Sequence, residues 1–227
     1  MRNLIITILL FGSFGVFGQR LLLEMPYDPT QTNTGPNRSH FGHMVISLGY
    51  NSLDQAAELE GRNFWNSANF NIGGRYIRKL GSRWAWSNDF LFNFFSFEFD
   101  ADHLDPDDFG LAFDKINRYG RAVASFEYAP GIRFSIQKRR GNIIGRYLEV
   151  QGLGGLILQR NEYYRGENAQ GKNANYTEVF SENSPFYYGG VLRLGLNRVS
   201  LYARYIANDI IRLDRGLILY GLELDLY

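Results

Sequence analysis

Residues 216–227 read GLILYGLELDLY. Ile218, Tyr220, Leu222, Leu224 and Leu226 alternate with Gly221, Glu223 and Asp225. A period of two puts the first set on one face of a β-strand and the second on the other. Acid on one face and leucine on the other marks a strand between two unlike media, and which medium each face meets decides the fold.

Seven further segments carry the same period. His40–Asn51 sets Met44, Ile46, Leu48 and Tyr50 against His43, Val45, Ser47 and Gly49. Asn69–Leu80 sets Phe70, Ile72 and Tyr76 against Asn69, Asn71 and Arg75, and Arg83–Glu98 sets Trp84, Trp86, Phe90, Phe92 and Phe94 against Ala85, Ser87, Asp89 and Asn93. Tyr119–Phe134 sets Phe126, Tyr128 and Ile132 against Arg121, Glu127 and Arg133. Ile144–Gln159, Pro185–Leu196 and Val199–Ala207 repeat the pattern, with Glu149, Arg193 and Arg204 on their polar faces. The alternation breaks after Phe94, where Phe95, Phe97 and Phe99 become apolar, and this reads as a bulge or a slipped register.

The spacers alternate in length. Lys79–Ser82, Gln137–Asn142 and Asn197-Arg198 are short, while Ser52–Trp65, Phe99–Arg118, Arg160–Ser184 and Asn208–Arg215 are long or polar. Three short turns on one side, four loops on the other and both strand termini on the short-turn side are the plan of an outer-membrane barrel. The sequence therefore predicts an all-β fold, an eight-stranded antiparallel transmembrane up-and-down β-barrel.

A soluble eight-stranded barrel of the lipocalin kind is the competing architecture, and it needs an apolar interior. Here the proposed inner face carries Arg75, Arg121, Arg133, Arg193 and Arg204 against Asp89, Glu127, Glu149, Glu223 and Asp225. A barrel of eight strands is just wide enough for side chains to fill. Charges buried there must pair, because an unpaired buried charge is strongly destabilising. Five cations against five anions suit such a network, and arginine suits it best because its planar fork binds carboxylates in a bidentate manner. Tyr50, Tyr76, Trp84, Trp86, Tyr188 and Tyr220 fall near segment ends, as interfacial aromatic girdles do.

With its opening HFGHMVISLGY, its glycine–aromatic strands and its final strand ending in Tyr227, the chain from His40 to Tyr227 resembles the small outer-membrane β-barrel proteins of Bacteroidota. It is similar, more loosely, to the OmpX/OmpA-type barrels. The resemblance implies outer-membrane lipid around the barrel. It also implies recognition of the C-terminal aromatic by the barrel-assembly machinery. PorT-like barrels of the type IX secretion system belong to the same class, but no distinctive PorT-like motif occurs here.

Residues 1–18 read as a signal peptide: Arg2 in a positive start, the apolar run Leu4–Phe11, and Val16 and Gly18 at the small positions before Gln19. Residues 19–39 are turn-rich and read as a periplasmic extension, leaving 40–227 as the barrel. The absence of cysteine excludes disulfides and thiolate sites. With 24 Lys+Arg against 23 Asp+Glu, the net charge of +1 gives no basic excess for nucleic acid.

Chemistry is sparse. A lipid A-modifying enzyme of this shape needs His, Ser and a carboxylate at the outer rim. His40 and His43 instead start the first strand, and His103 lies in a loop. His43 reads as an interior residue hydrogen-bonded into the polar network. The loop with Asp100, Asp102, Asp105, Asp107, Asp108 and Asp114 could gather oxygens for a cation, but its spacing is not that of an EF-hand and a solvated loop is the better reading. Lys138, Arg139 and Arg140 read as a solvated basic turn. No catalytic, metal or cofactor residue is assigned. The reading is a non-enzymatic outer-membrane barrel with a plugged polar interior and a structural or partner-binding role. Loops 99–118 and 160–184, the latter with Tyr163, Tyr164 and Tyr176, are the surfaces for another envelope protein or a glycan. The alternatives are a subunit of an envelope complex such as type IX secretion, a narrow pore or a lipid A enzyme.

Overall fold

The computed structural model describes residues 35–36, 38–53, 67–100, 114–137, 143–167, 173–179, 184–208, 210 and 216–227. The chain divides into two units, Met1–Thr32 and Asn33–Tyr227, and every described residue belongs to the second. The signal peptide, nearly all of the 19–39 extension, His103 and the turn at 138–142 lie outside the described residues. So does the acidic loop, except for Asp114 and the backbone of Asp100.

Nine strands are described: β1 (His40–Leu53), β2 (Ala68–Lys79), β3 (Trp84–Asp100), β4 (Lys115–Ser135), β5 (Arg146–Glu167), β6 (Asn173–Val179), β7 (Phe186–Leu196), β8 (Val199–Ile206) and β9 (Leu217–Leu226). All pairings are antiparallel. Eight strands close a ring in the order β1-β2-β3-β4-β5-β7-β8-β9, with β9 returning to β1. Closure satisfies every ladder hydrogen bond without an open edge, which a sheet in lipid requires. β6 stands outside the ring and pairs with β5 over Asn161–Glu167.

Burial follows parity around the ring. In β8 every second residue from Ser200 to Ile206 is buried, and the residues between are exposed. The exposed set is apolar. Met44, Leu48, Phe90, Phe92, Phe94, Leu192, Leu194, Leu201, Leu222 and Leu224 all face outward. A belt of this size does not face water in a soluble monomer. Facing lipid, it is the outer surface of a transmembrane β-barrel. Asn197 closes the β7–β8 turn at φ 63°, a left-handed conformation that asparagine tolerates. Its Oδ1 accepts a 2.7 Å hydrogen bond from the Tyr227 hydroxyl and ties the last residue to that turn.

Four sequence readings are corrected. The first concerns β3, which pairs with β4 without a register shift from Trp84 to Asp100. Phe95 and Phe97 keep the inward parity and are apolar because the lumen there is apolar. The irregularities lie instead between β4 and β5, at Ile116/Arg118 and at Ala124/Ser125. Second, the 160–184 segment is not all loop: β5 runs through to Glu167 and β6 follows.

Third, the interior is not polar throughout. Phe95, Phe97, Val123, Leu153, Ile157, Val191, Ile206, Leu217 and Leu219 form an apolar layer in the long-loop half. A smaller layer of Phe41, Ile77 and Ala85, with Ile144 and Tyr227 against it, lies at the short-turn end. The fourth correction concerns Arg121, which lies beyond the Ala124/Ser125 irregularity and outside the central charge cluster; its partner is Glu162 on β5.

Candidate functional site

Between the two apolar layers lies the charge cluster. Arg75 on β2 is its hub. Its Nε and Nη2 donate to the two oxygens of Asp89 on β3 at 2.7 and 2.8 Å. The antiparallel register sets these residues directly opposite each other. Nη2 also donates to Glu223 at 2.7 Å and Nη1 to Asp225 at 2.9 Å, both on β9, with β1 between the two strands. Arg193 on β7 bridges a second set. It donates to Glu149, to Asp89 Oδ2 at 3.1 Å and to Gln151 Oε1 at 3.1 Å, and its Nε pairs with Glu223 at 2.9 Å. Glu149 takes a further bond from Arg133 Nε at 2.5 Å.

Arg204 on β8 extends the cluster toward the long-loop half, pairing with Glu127 at 3.3 Å and donating to Asn71 and Asn93. Glu127 also accepts from the Tyr187 hydroxyl at 3.2 Å. The other end is closed by Asp225, which accepts from His43 Nε2–H at 2.9 Å and from the Tyr147 hydroxyl at 3.2 Å. The enclosed set is thus four guanidiniums and five carboxylates, with the His43 imidazole on the last of them. All ten residues are buried.

The sequence reading did not single out two features that hold this cluster in place. One is a ladder of amides and hydroxyls. Asn69 donates to Asn51, Asn71 donates to Ser47, and Tyr202 donates to Asn69. The other is a pair of tyrosines lying over glycines of the neighbouring strand. Tyr147 sits opposite Gly195 and Tyr187 opposite Gly155. A Cβ at either glycine would overlap the facing ring. Only glycine leaves room for the tyrosine to cross the lumen and reach its carboxylate. The signal was present as inward tyrosine and inward glycine on strands that turned out to pair, but the pairing register was needed to see it.

Beyond the apolar layer, toward the long loops, β3, β4, β5 and β6 carry an aromatic row. Tyr119 stacks on Tyr164 at 5.0 Å between ring centroids, Phe99 stacks on Tyr119 at 5.6 Å, and Tyr176 tilts onto Tyr164 at 6.2 Å. The Tyr119 and Tyr164 hydroxyls both donate to Glu162 at 3.3 Å, and Arg121 Nε pairs with that carboxylate at 2.7 Å. Partial burial, and next the Glu162 charge, push the Tyr164 hydroxyl up to about 12. His40 lies at the other end of the molecule against the Tyr76 hydroxyl. Among the described residues no group of His, Asp and Glu is placed to hold a metal ion.

These features define the class: a membrane-spanning β-barrel of eight strands whose lumen, among the described residues, is filled by its own side chains. No protein-family model matches the chain, and no curated protein does. Among solved structures, the chain is similar to Ail, the attachment invasion locus protein of Yersinia pestis, determined in complex with the heparin analogue sucrose octasulfate. The TM-score is 0.38 at 13% identity, covering 82% of this chain and 96% of that one. A likeness that distant transfers no function.

Proposed function

We propose that this chain is a non-enzymatic outer-membrane protein that serves the bacterial envelope as a structural or partner-binding barrel. In this reading the long-loop end faces the cell exterior and the short turns face the periplasm, the usual orientation of such barrels. The observation that carries it is the combination of a lipid-facing apolar belt with a lumen closed by paired charges between two apolar layers. A filled lumen favours a scaffold over a conduit, and it argues against the narrow-pore reading. The partner-binding surface is the extension of β4, β5 and β6, where Tyr119, Tyr164 and Tyr176 share one face with Arg121 and Glu162, and Tyr163 lies on the other. Tyr176, the exposed tyrosine of the row, offers contact area with few rotamers to immobilise. Its partner is another envelope protein or a surface glycan.

The test is fractionation of cells expressing the full chain with an epitope inserted at 168–172. Recovery in the outer-membrane fraction, with the epitope accessible on intact cells, supports the proposal. A soluble periplasmic product would sink it. So would an epitope that becomes accessible only after lysis.

A further inference from the structure

At the short-turn end the barrel opens into a cavity of about 220 Å³. Its walls come from the Gly35–Ser39 approach to β1, the β2–β3 turn, and the facing ends of β4 and β5. The approach is itself folded, with Gly35 N–H donating to the His40 carbonyl and Arg38 N–H to the Gly35 carbonyl. Among the described residues, the charged side chains that line the cavity are Arg38, Lys79, Arg83 and Arg133, with no acid in the lining. Ser82, Ser135 and Gln137 add hydroxyl and amide groups, while Phe41, Ile77 and Ile144 add apolar wall.

Arg133 differs from the other lumen arginines. Its Nε is committed to Glu149, and its guanidinium carbon lies 3.7 Å from the centre of the Tyr147 ring. Its Nη1 and Nη2 are buried and have no hydrogen-bond partner. Arg75 and Arg193, by contrast, each use both terminal nitrogens. A buried guanidinium with two unused donors loses the hydration those donors would have in water. The two-nitrogen edge of a guanidinium matches the two oxygens of a carboxylate. Stacking on tyrosine holds its plane fixed.

We propose that this mouth is a binding site for a carboxylate. Arg133 grips the group from the inner end through Nη1 and Nη2. The rim cations Arg38, Lys79 and Arg83 draw it in, and the apolar wall of Phe41, Ile77 and Ile144 takes its short carbon stem. Stem and wall favour a carboxylate on an aliphatic chain over a fully hydrated phosphate. The group can come from a free organic acid or from an acidic residue of a peptide, and both present the same chemistry to Arg133. The site does not depend on which side of the membrane this end faces, so its failure would leave the proposed location untouched.

Binding is read as heat, by isothermal titration calorimetry of the full chain refolded in detergent micelles. Butyrate is the probe for the free acid, an acetyl-Gly-Glu-Gly-amide peptide is the probe for the peptide source, and sodium chloride at matched ionic strength is the control. The expected result is a saturable heat of binding with at least one carboxylate and none with chloride. Whichever probe binds more tightly identifies the source. Arg133→Gln should abolish saturation. Arg38→Gln with Arg83→Gln, which leaves the Glu149 contact intact, should weaken binding several-fold. Retained mobility of the unboiled protein on SDS gels shows that each variant is folded. No saturable response to either carboxylate would overturn the proposal, as would equal responses to chloride. An unchanged affinity in the folded Arg38/Arg83 double variant would also overturn it.

Discussion

Glu149 accepts from Arg193 and Arg133 and lies 3.9 Å from Arg75. Truncating it leaves the Arg133 guanidinium enclosed without its counter-ion and takes one of three carboxylates from Arg193. Removing one partner of a buried pair costs about 3–5 kcal/mol. Glu149→Ala should therefore lower unfolding stability by about that amount in urea titration of the micelle-refolded protein, whereas Gln159→Ala on an exposed stretch of β5 should change little. Gly195 makes a second point. A valine there would press on Tyr147, and overpacking of this kind typically costs about 1–3 kcal/mol. Gly195→Val should destabilise the protein in the same titration, and pairing it with Tyr147→Ala should recover part of the loss. Additive effects of the two changes would show that ring and glycine do not interlock.

At the scale of the element, each strand divides two media, so the cost of a change depends on face and depth. Phe92 sits on the lipid face in the middle of β3, and Trp84 on the same face at its short-turn end. Arginine at mid-membrane costs about 2–4 kcal/mol and near the interface about 0–1 kcal/mol. Phe92→Arg should thus be several times more destabilising than Trp84→Arg, measured by unfolding from lipid vesicles. The β6 hairpin makes the opposite case. It pairs with β5 only beyond the stretch that β7 occupies. Replacing residues 168–183 with a short turn should leave the ring intact, seen as unchanged heat-modifiable migration on SDS gels, while removing Tyr176 from the aromatic row.

The strands were readable because a barrel wall imposes a period of two, and the polar–apolar alternation is plain from Tyr220 to Leu226 and from Val199 to Tyr205, failing where Leu217, Leu219 and Ile206 join the apolar layer inside. The short turns were readable for a similar reason, since Asn197-Arg198 leaves no room for anything else. What the single strands could not reveal depends on how they are staggered around the barrel. That Arg75 would meet Asp89, Glu223 and Asp225 together follows from three strands' relative registers. Arg121 shares the parity of Glu127, yet the Ala124/Ser125 irregularity and the apolar layer separate it from the central cluster. β6 escaped notice because NANYTEV, outside the membrane, has no lipid face to enforce alternation.

At the largest scale, the described strands close a ring that turns an apolar belt outward and encloses a salt-bridged interior. Such a ring resists SDS until heated, because all its strand pairings must break together. The most direct measurement is the migration of the full chain refolded into lipid vesicles, run on SDS gels with and without boiling. The structure predicts a compact, faster band without boiling and a slower band near the full 26.1 kDa after it. A single band of unchanged mobility, from protein that floats with the vesicles and keeps its β-sheet circular dichroism, would contradict the closed transmembrane barrel.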